Sequence, residues 1–326
     1  MVFRDNADGG VRGQRRTHTR RSTGRLGKAL GPLAFIMCLA ALTDTSLARC
    51  IPVAQRNDMP QPSLALHRVP IETANRPRSQ IGARPLAARI VPVNEKSTVR
   101  GPALARGEVM LTFLGHSTFL IRTVADVAAV TDYNSYVRAP FAPDIVTMNR
   151  AHDTHYTNII EPGVKHVLRG WMEKGVIPRH NVTVKDLHVS NVPTNIRGAL
   201  GGDTGFAGNS IFIFRSAGVC VVHLGHLHHR LTTTQVARVG IVDVLLAPID
   251  DSWTMAHTLL VKVIEDLDPR VVIPMHYGFG GTLDRFIALM QARKFEVRRA
   301  KGSNVRFTKA SLPGKPTVLV LQSAVY

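Results

Sequence analysis

After residue 108 the chain contains a series of short apolar segments, several of which end next to a histidine. The segments that predict strands are Val109–Leu114, Thr118–Arg122, Val127–Thr131, Ile145–Met148, Val182–Val192, Ile211–Phe214, Val219–His223, Val242–Ala247, Val271–Pro274, Phe295–Arg299, Asn304–Thr308 and Thr317–Leu321. The segments that predict helices are Gln235–Val239, Ala256–Leu267 and Leu283–Arg293. Strands first, then strands alternating with helices, indicate two sheets covered by helices.

The segment 49–107 differs from the apolar segments after it because prolines recur throughout its length, from Pro52 to Pro102. Proline breaks helices and central strands, so we predict an extended arm or linker here. Part of this arm is expected to lie across the surface of a single domain formed by residues 108–326.

Residues 1–48 have the pattern of a signal peptide, with basic residues followed by the uncharged apolar stretch Ala29–Leu42 and small residues before Arg49. Fourteen apolar residues are too few to span a bilayer, which takes about 20. We therefore predict export, to the periplasm, with no transmembrane helix in the mature chain; Sec and twin-arginine export both stay open. Lipid anchoring at Cys50 is disfavoured because Arg49 stands where a small residue is expected. The alternative is an uncleaved basic tail with a short core helix.

The net charge of +18 does not indicate a nucleic-acid-binding protein. Residues 108–326 carry 23 basic against 17 acidic residues, so most of the excess precedes the predicted domain. No nucleic-acid-binding motif accompanies that excess. The sequence contains no Cys-x-x-Cys pair, which excludes a cysteine zinc cluster. A disulfide between Cys50 and Cys220 is an alternative to a buried free thiol at Cys220, and the apolar surroundings of Cys220 favour the thiol.

Histidines are concentrated at predicted strand ends and in the loops just beyond them. They are His116, His152, His155, His223, His226, His228, His229 and His276. Ligand pockets of layered α/β folds form at strand ends, and imidazole is a common ligand of zinc. The pattern therefore indicates a histidine-rich metal site.

The order of these motifs resembles the metallo-β-lactamase superfamily, in particular the branch similar to L-ascorbate-6-phosphate lactonases and related hydrolases. The motifs are Leu114-Gly115-His116-Ser117, Val130-Thr131-Asp132, the loop from Asp144 to His155, the segment from His223 to His229, Asp243–Pro248 and Ile273-Pro274-Met275-His276-Tyr277. The resemblance covers about residues 108–280. It implies an α/β (α+β) fold, a four-layer αβ/βα sandwich, with a metal site at one edge.

The resemblance also implies a set of site residues, with departures from the family pattern. The family loop reads His-x-His-x-Asp-His, and Arg150, His152, Thr154 and His155 occupy its four named positions. His223 and His276 match two further histidine ligands, His226 stands where the family has a bridging carboxylate, and Asp132 matches an aspartate that orients a ligand.

Two lost carboxylates change the expected metal content. Without an acidic residue at positions 154 and 226, two close dications would repel each other with little compensation. We therefore predict one zinc ion, or two more widely spaced ones, held by His152, His155, His223 and His276, with His226 as a substitute. Asp153, Asp250 or Asp251 stays open as a carboxylate ligand or base.

The predicted activity is zinc-dependent hydrolysis of a small ester, lactone or phosphoester through a metal-bound water. Arg150 is expected to hold an anionic group of the substrate, and His116 to contact the substrate or brace its turn. The alternative function is a non-catalytic protein that binds a metal or an anionic ligand on the same fold. The sequence does not identify the substrate or the oligomeric state.

Overall fold

The computed structural model describes residues 100–197, 204–278 and 281–324. The predicted signal peptide, most of the predicted arm and Cys50 lie outside these residues. The first five strands are β1 Val109–Gly115, β2 Thr118–Thr123, β3 Ala128–Val130, β4 Ile145–Met148 and β5 His166–Arg169. The later strands are β6 Asn181–Val184, β7 Leu187–Arg197, β8 Thr204–Ser216, β9 Val219–His223, β10 Val244–Pro248, β11 Val271–Met275, β12 Glu296–Arg299, β13 Asn304–Phe307 and β14 Thr317–Val320. The α-helices are α1 Thr233–Val239, α2 His257–Leu267 and α3 Thr282–Gln291.

The strands form two sheets. The six-stranded sheet has the order β13-β1-β2-β3-β4-β5, and the eight-stranded sheet has the order β12-β14-β11-β10-β9-β8-β7-β6. In the eight-stranded sheet β9, β10, β11, β14 and β12 run parallel, whereas β6, β7, β8 and β9 are joined by antiparallel pairs. Parallel strands need crossover connections, and α1 and α2 provide them between β9, β10 and β11.

Strand β10 shows why these apolar runs become central strands. All five of its residues are buried, and successive side chains point to opposite faces. Leu246 packs between the two sheets with Leu111 of β1 and Ile121 of β2. Leu245, on the other face, packs in the cluster that contains Leu260 of α2. A strand buried on both faces reads as a continuous apolar run, which is the pattern that the sequence shows.

The sandwich fold predicted from the sequence is confirmed. Helices α2 and α3 cover the outer face of the eight-stranded sheet. On the outer face of the six-stranded sheet, Tyr133 and Trp171 pack against Val146 of β4. Among the described residues these covering side chains come from loops between β3 and β6, so this outer layer is irregular.

The structure also departs from some of the sequence-based expectations. The alternating segment Val182–Val192 is a hairpin, because Lys185 adopts a left-handed conformation (φ 49°) between β6 and β7. Cys220 forms a disulfide, which corrects the expectation of a free thiol. Arg122 of β2 donates to the carbonyl oxygens of Gly101 and Pro102, which belong to the last part of the segment predicted as an arm.

Among the described residues, no helix is both long and apolar enough to cross a membrane.

Candidate metal centre

Four histidines from distant parts of the chain meet at one edge of the sandwich. One ring nitrogen from each lies within 4.8 Å of the others, and the residues are His116, His152, His155 and His276. The ring of His226 lies beside them, with centroid distances of 4.8 Å to His155 and 5.0 Å to both His152 and His276. The structure therefore brings together five of the predicted site residues.

The turns that carry these residues adopt unusual backbone conformations. His116, Asp132 and His276 have φ values of 53°, 41° and 57°, in the left-handed region that non-glycine residues seldom occupy. The amide of His276 donates to the carbonyl oxygen of His116 at 2.7 Å, which joins the two turns. Such strained conformations concentrate at functional sites.

The loop after β4 is held in place by Asn149, which is fully buried. Its amide nitrogen donates to Asp132 Oδ1 at 3.1 Å, and its carbonyl oxygen accepts from the backbone amide of Ser210 at 2.7 Å. Gly225 packs directly on this side chain, since a Cβ there would lie 2.4 Å from Asn149 Nδ2. The site therefore requires glycine at position 225.

Asp132 orients His155. Both residues are fully buried, and His155 Nδ1 donates to Asp132 Oδ2 at 2.6 Å. Burial alone would raise the pKa of Asp132, but the charges of His155 and His223 and the hydrogen bond from His155 lower it to about 2. Asp132 is therefore a carboxylate at neutral pH. With its proton on Nδ1 donated to Asp132, His155 presents Nε2 to the site.

Asp250 orients His276 as Asp132 orients His155, through a longer contact. Its Oδ1 lies 3.4 Å from His276 Nδ1. Thr254 holds this carboxylate through its hydroxyl and through its amide, whose nitrogen lies 3.0 Å from Oδ2. Burial opposes ionisation of Asp250, but the hydrogen bonds from His276 and Thr254 keep its pKa below the usual range.

His155 and His276 consequently face each other through Nε2 atoms that are 3.1 Å apart. Two neutral rings with their protons on Nδ1 would point lone pairs at each other, which is favourable only with a cation between them. Two nitrogens bound tetrahedrally to one zinc ion at about 2.0–2.1 Å would be about 3.3 Å apart. The donor set and the spacing therefore fit a bound metal ion.

His152 and His116 lie on the more open side of the group, and Thr154 links them. The Thr154 hydroxyl lies 2.7 Å from His152 Nδ1 and 3.0 Å from His116 Nε2. Burial, together with the charge of neighbouring histidines, lowers the pKa of His116 to about 3 and that of His152 to about 4. Both imidazoles are neutral at pH 7, as metal binding requires.

His223, predicted as a ligand, lies outside the group of four. Its Nε2 donates to the carbonyl oxygen of Ser117 at 2.9 Å, and its Nδ1 accepts from the amide of Gly225 at 3.1 Å. With both ring nitrogens engaged by backbone groups, His223 has no lone pair left for an ion. The structure gives it a supporting role, next to Asp132 Oδ2 at 3.8 Å.

Arg150 and two of the candidate aspartates also lie away from the four histidines. Arg150 is exposed and lines a separate cavity of about 440 Å³ together with Trp171 and Lys174. Asp153 is exposed and accepts from the Tyr136 hydroxyl at 2.5 Å. Asp251 accepts from the amide of His257 at 2.7 Å, at the start of α2.

Sequence reasoning missed the contribution of Thr154, Asn149 and Asn209. Asn209 accepts from the amide of His226 at 2.8 Å and so positions that ring. Thr154 occupies the carboxylate position of the family loop, which was a signal that a polar contact is needed there. The two asparagines belong to no motif that the sequence alone reveals.

A sequence model of the β-lactamase superfamily domain matches residues 110–276, just over half of the chain. The chain belongs to this superfamily. The predicted resemblance is thereby confirmed, and the matched range contains all the histidines of the site and ends on His276.

Two relatives of this chain are named UPF0173 metal-dependent hydrolases. The protein of Methanosarcina barkeri is 26% identical over 192 residues, which cover 52% of this chain and 84% of the relative. The protein of Archaeoglobus fulgidus is 26% identical over 191 residues, covering 52% and 83%.

A solved structure shares the fold. It is a protein of the metallo-β-lactamase superfamily from Thermotoga maritima. The likeness has a TM-score of 0.50 at 25% sequence identity and covers 66% of this chain and 99% of that chain. Together with the named relatives, it supports the predicted enzyme class, a metallo-hydrolase.

Proposed function

We propose that this superfamily member is an exported zinc-dependent hydrolase that acts on a small ester, lactone or phosphoester. The observation that carries the proposal is the contact between His155 Nε2 and His276 Nε2 at 3.1 Å. Each ring has a carboxylate at its Nδ1, so both present acceptor atoms to the same point. A divalent cation is the partner that this arrangement suits.

We assign His152, His155 and His276 to hold the ion. Three protein ligands are the number that catalytic zinc sites use. A zinc ion held by these residues would supply Lewis acidity for the hydrolysis. Asp132 and Asp250 fix the tautomers of two ligand rings, and His116 lies on the open side, where the substrate enters.

An anionic substrate is supported by the cavity beside the metal loop. Arg150 and Lys174 line it, and neither makes an ion pair with the described residues. Glu173 also lines the cavity, and its carboxylate lies 3.7 Å from Arg169 Nε. Trp171 and Tyr156 form an aromatic pair there, with ring centroids 5.5 Å apart, and give the cavity an apolar wall. A phosphate or carboxylate on an apolar body would match both features.

The experiment is a measurement of zinc content and zinc affinity in the purified protein, followed by a screen of esters, lactones and phosphoesters. We expect tight zinc binding and turnover, both lost in His155→Ala. The matched control is His166→Ala, because His166 pairs with Ile145 at the start of β4, away from the metal loop. A protein that contains no zinc and takes up none would overturn the proposal.

A second candidate is a non-catalytic binding protein. It is favoured by the composition of the group of four, which within the described part of the chain consists of histidines alone. If His116 also binds the ion, four imidazoles close its coordination shell and the site is structural. Zinc binding without turnover of any compound in the screen, with clearly weaker zinc affinity in His116→Gln, would favour this candidate over the hydrolase.

Export is part of the proposal, and the site does not depend on it. It is supported by the basic and apolar pattern of residues 1–48 and by the disulfide at Cys220, since disulfides persist in oxidising compartments. The mass of the mature protein after secretion would test it. A mass that includes residues 1–48 would contradict export with cleavage, and an added acyl mass would indicate anchoring at Cys50.

A further inference from the structure

A line of hydrogen bonds leads from the exposed Arg197 into the metal centre. Arg197 Nε donates to His228 Nδ1 at 3.2 Å. His228 Nε2 lies 2.7 Å from His226 Nδ1, and His226 Nε2 lies 3.2 Å from His152 Nε2. Each contact joins two nitrogen atoms, so its direction depends on which nitrogen carries a proton.

Arg197 decides that direction because a guanidinium donates and never accepts. His228 Nδ1 must offer a lone pair to it, so the proton of His228 is on Nε2. This proton can only be donated to His226 Nδ1, which must then be the acceptor. The single proton of neutral His226 is therefore on Nε2, directed at His152.

The rest of the line is consistent with this direction. His152 Nε2 accepts from His226, so its proton is on Nδ1 and is donated to the Thr154 hydroxyl at 2.7 Å. The hydroxyl in turn donates to His116 Nε2 at 3.0 Å. Every polar atom of the line has one partner in the correct role, and no ring needs a second proton.

Arg197 is itself held firmly although it is exposed. Its Nη2 donates to the carbonyl oxygens of Ser252, Trp253 and Thr254 at 2.7, 3.1 and 2.6 Å. The same segment bears the Thr254 amide and hydroxyl that hold Asp250. Reversal of the line would direct an N–H of His228 at the N–H of an arginine that three carbonyl groups keep in place.

We propose that His226 is a neutral hydrogen-bond donor and not a metal ligand, with its Nε2–H directed into a site that holds a single ion. The identity of the group that accepts this hydrogen bond, an oxygen of the substrate, rests on the proposed function. Once the lone pair of His152 Nε2 is given to the ion, the N–H of His226 is available to an oxygen of the substrate. Donors aimed at an oxygen that gains negative charge stabilise the transition state. The superfamily's bridging carboxylate is thus replaced by a group of opposite hydrogen-bonding character.

The tautomer is tested in the metal-free protein by NMR of ¹⁵N-labelled histidine, with the His226 signals assigned from their loss in His226→Gln. We expect the proton of His226 on Nε2 and none on Nδ1. In Arg197→Met the proton should redistribute toward Nδ1. Arg230→Gln is the matched control, because Arg230 pairs with Asp266 and not with the histidines of the line. A wild-type His226 protonated on Nδ1 would overturn the proposal.

If Arg197→Met does not fold, Arg197→Lys serves in its place. Lysine keeps the charge but lacks the Nε–H that contacts His228. An unchanged His226 tautomer in a folded Arg197 variant would show that Arg197 does not position this ring.

Metal stoichiometry provides the second readout. We expect one zinc ion per chain in the wild type and in His226→Ala, with zinc affinities within about 3-fold of each other. Turnover of the zinc-loaded protein should fall by about 10²–10³-fold in His226→Ala. His226→Gln, which can donate an N–H, should recover part of this loss. Loss of zinc from His226→Ala to the extent seen in His276→Ala would refute the donor role and leave the hydrolase standing. A wild type without zinc would refute the hydrolase, while the NMR measurement would still decide the tautomer.

Discussion

Two pairs of histidines in this protein have nearly the same spacing and opposite chemical requirements. His155 and His276 approach through Nε2 atoms at 3.1 Å, and His152 and His226 do so at 3.2 Å. The first pair has carboxylates behind the rings and is left with two acceptors. In the second pair, His152 Nδ1 contacts the Thr154 hydroxyl, and His226 Nδ1 contacts His228, which accepts from Arg197. His226 Nε2 can therefore donate to His152 Nε2. The groups behind the rings therefore decide which pair needs a cation.

The largest effect is expected from breaking the carboxylate-backed pair. His276→Ala removes one of the two acceptors, and we expect zinc affinity to fall by more than about 100-fold, beyond the loss typical of an outer hydrogen-bond partner. Isothermal titration with zinc measures it. An affinity close to that of the His166→Ala control would mean that His276 does not bind the ion.

A smaller loss is expected when the carboxylate behind His155 is neutralised. Asp132→Asn keeps an oxygen that can accept from Nδ1 but removes the buried charge. We expect about 10- to 100-fold weaker zinc binding. Zinc titration checks the prediction, with circular dichroism to verify folding. A loss below about 3-fold in a folded variant would show that the charge of Asp132 does not support the site.

Asp250→Asn should weaken zinc binding less, by about 10-fold, because its contact to His276 Nδ1 is longer, at 3.4 Å. Asp251→Asn is a control in the adjacent position, since the Asp251 side chain accepts from the amide at the start of α2. Equal effects of the two substitutions on zinc affinity would contradict the role assigned to Asp250.

The low pKa values of His152 and of its neighbour His116 should make the stability of the metal-free protein depend on pH. The pKa values of His116 and His152 are lowered from 6.5 to about 3 and 4, mainly by burial. Between pH 6.5 and pH 4 the unfolded chain binds more protons than the folded protein does. The free energy of unfolding should therefore fall as the pH drops through this range. Urea unfolding at several pH values measures the slope. His116→Gln should make it shallower, and an unchanged slope would refute the assignment.

Much of the fold could be predicted from the sequence because burial on one or both faces produces visible apolar patterns. Strand β4 and the ends of β9 and β11 were predicted within one residue. Strand β5, His166–Arg169, was missed because only one of its four residues is buried. The residues that cover the outer face of the six-stranded sheet show no periodic apolar pattern in the sequence, because they lie in loops.

The site was harder to predict because spacing does not reveal what lies behind each ring. His223 stands at a strand end like a ligand, yet its nitrogens meet two backbone groups that no motif indicates. Asp250 was left open as ligand or base, and the carboxylate is instead placed beside His276 Nδ1. Arg197 acts across 31 residues on His228, a contact that only the folded chain creates.

The His155–His276 contact also has a mechanical consequence. The two residues are 121 positions apart, and they project from loops that belong to different sheets. An ion held by both would cross-link the two halves of the sandwich without a covalent bond. Part of its binding energy would then increase the free energy of unfolding of the core between the sheets. Loss of the ion would therefore destabilise parts of the protein that are distant from the site.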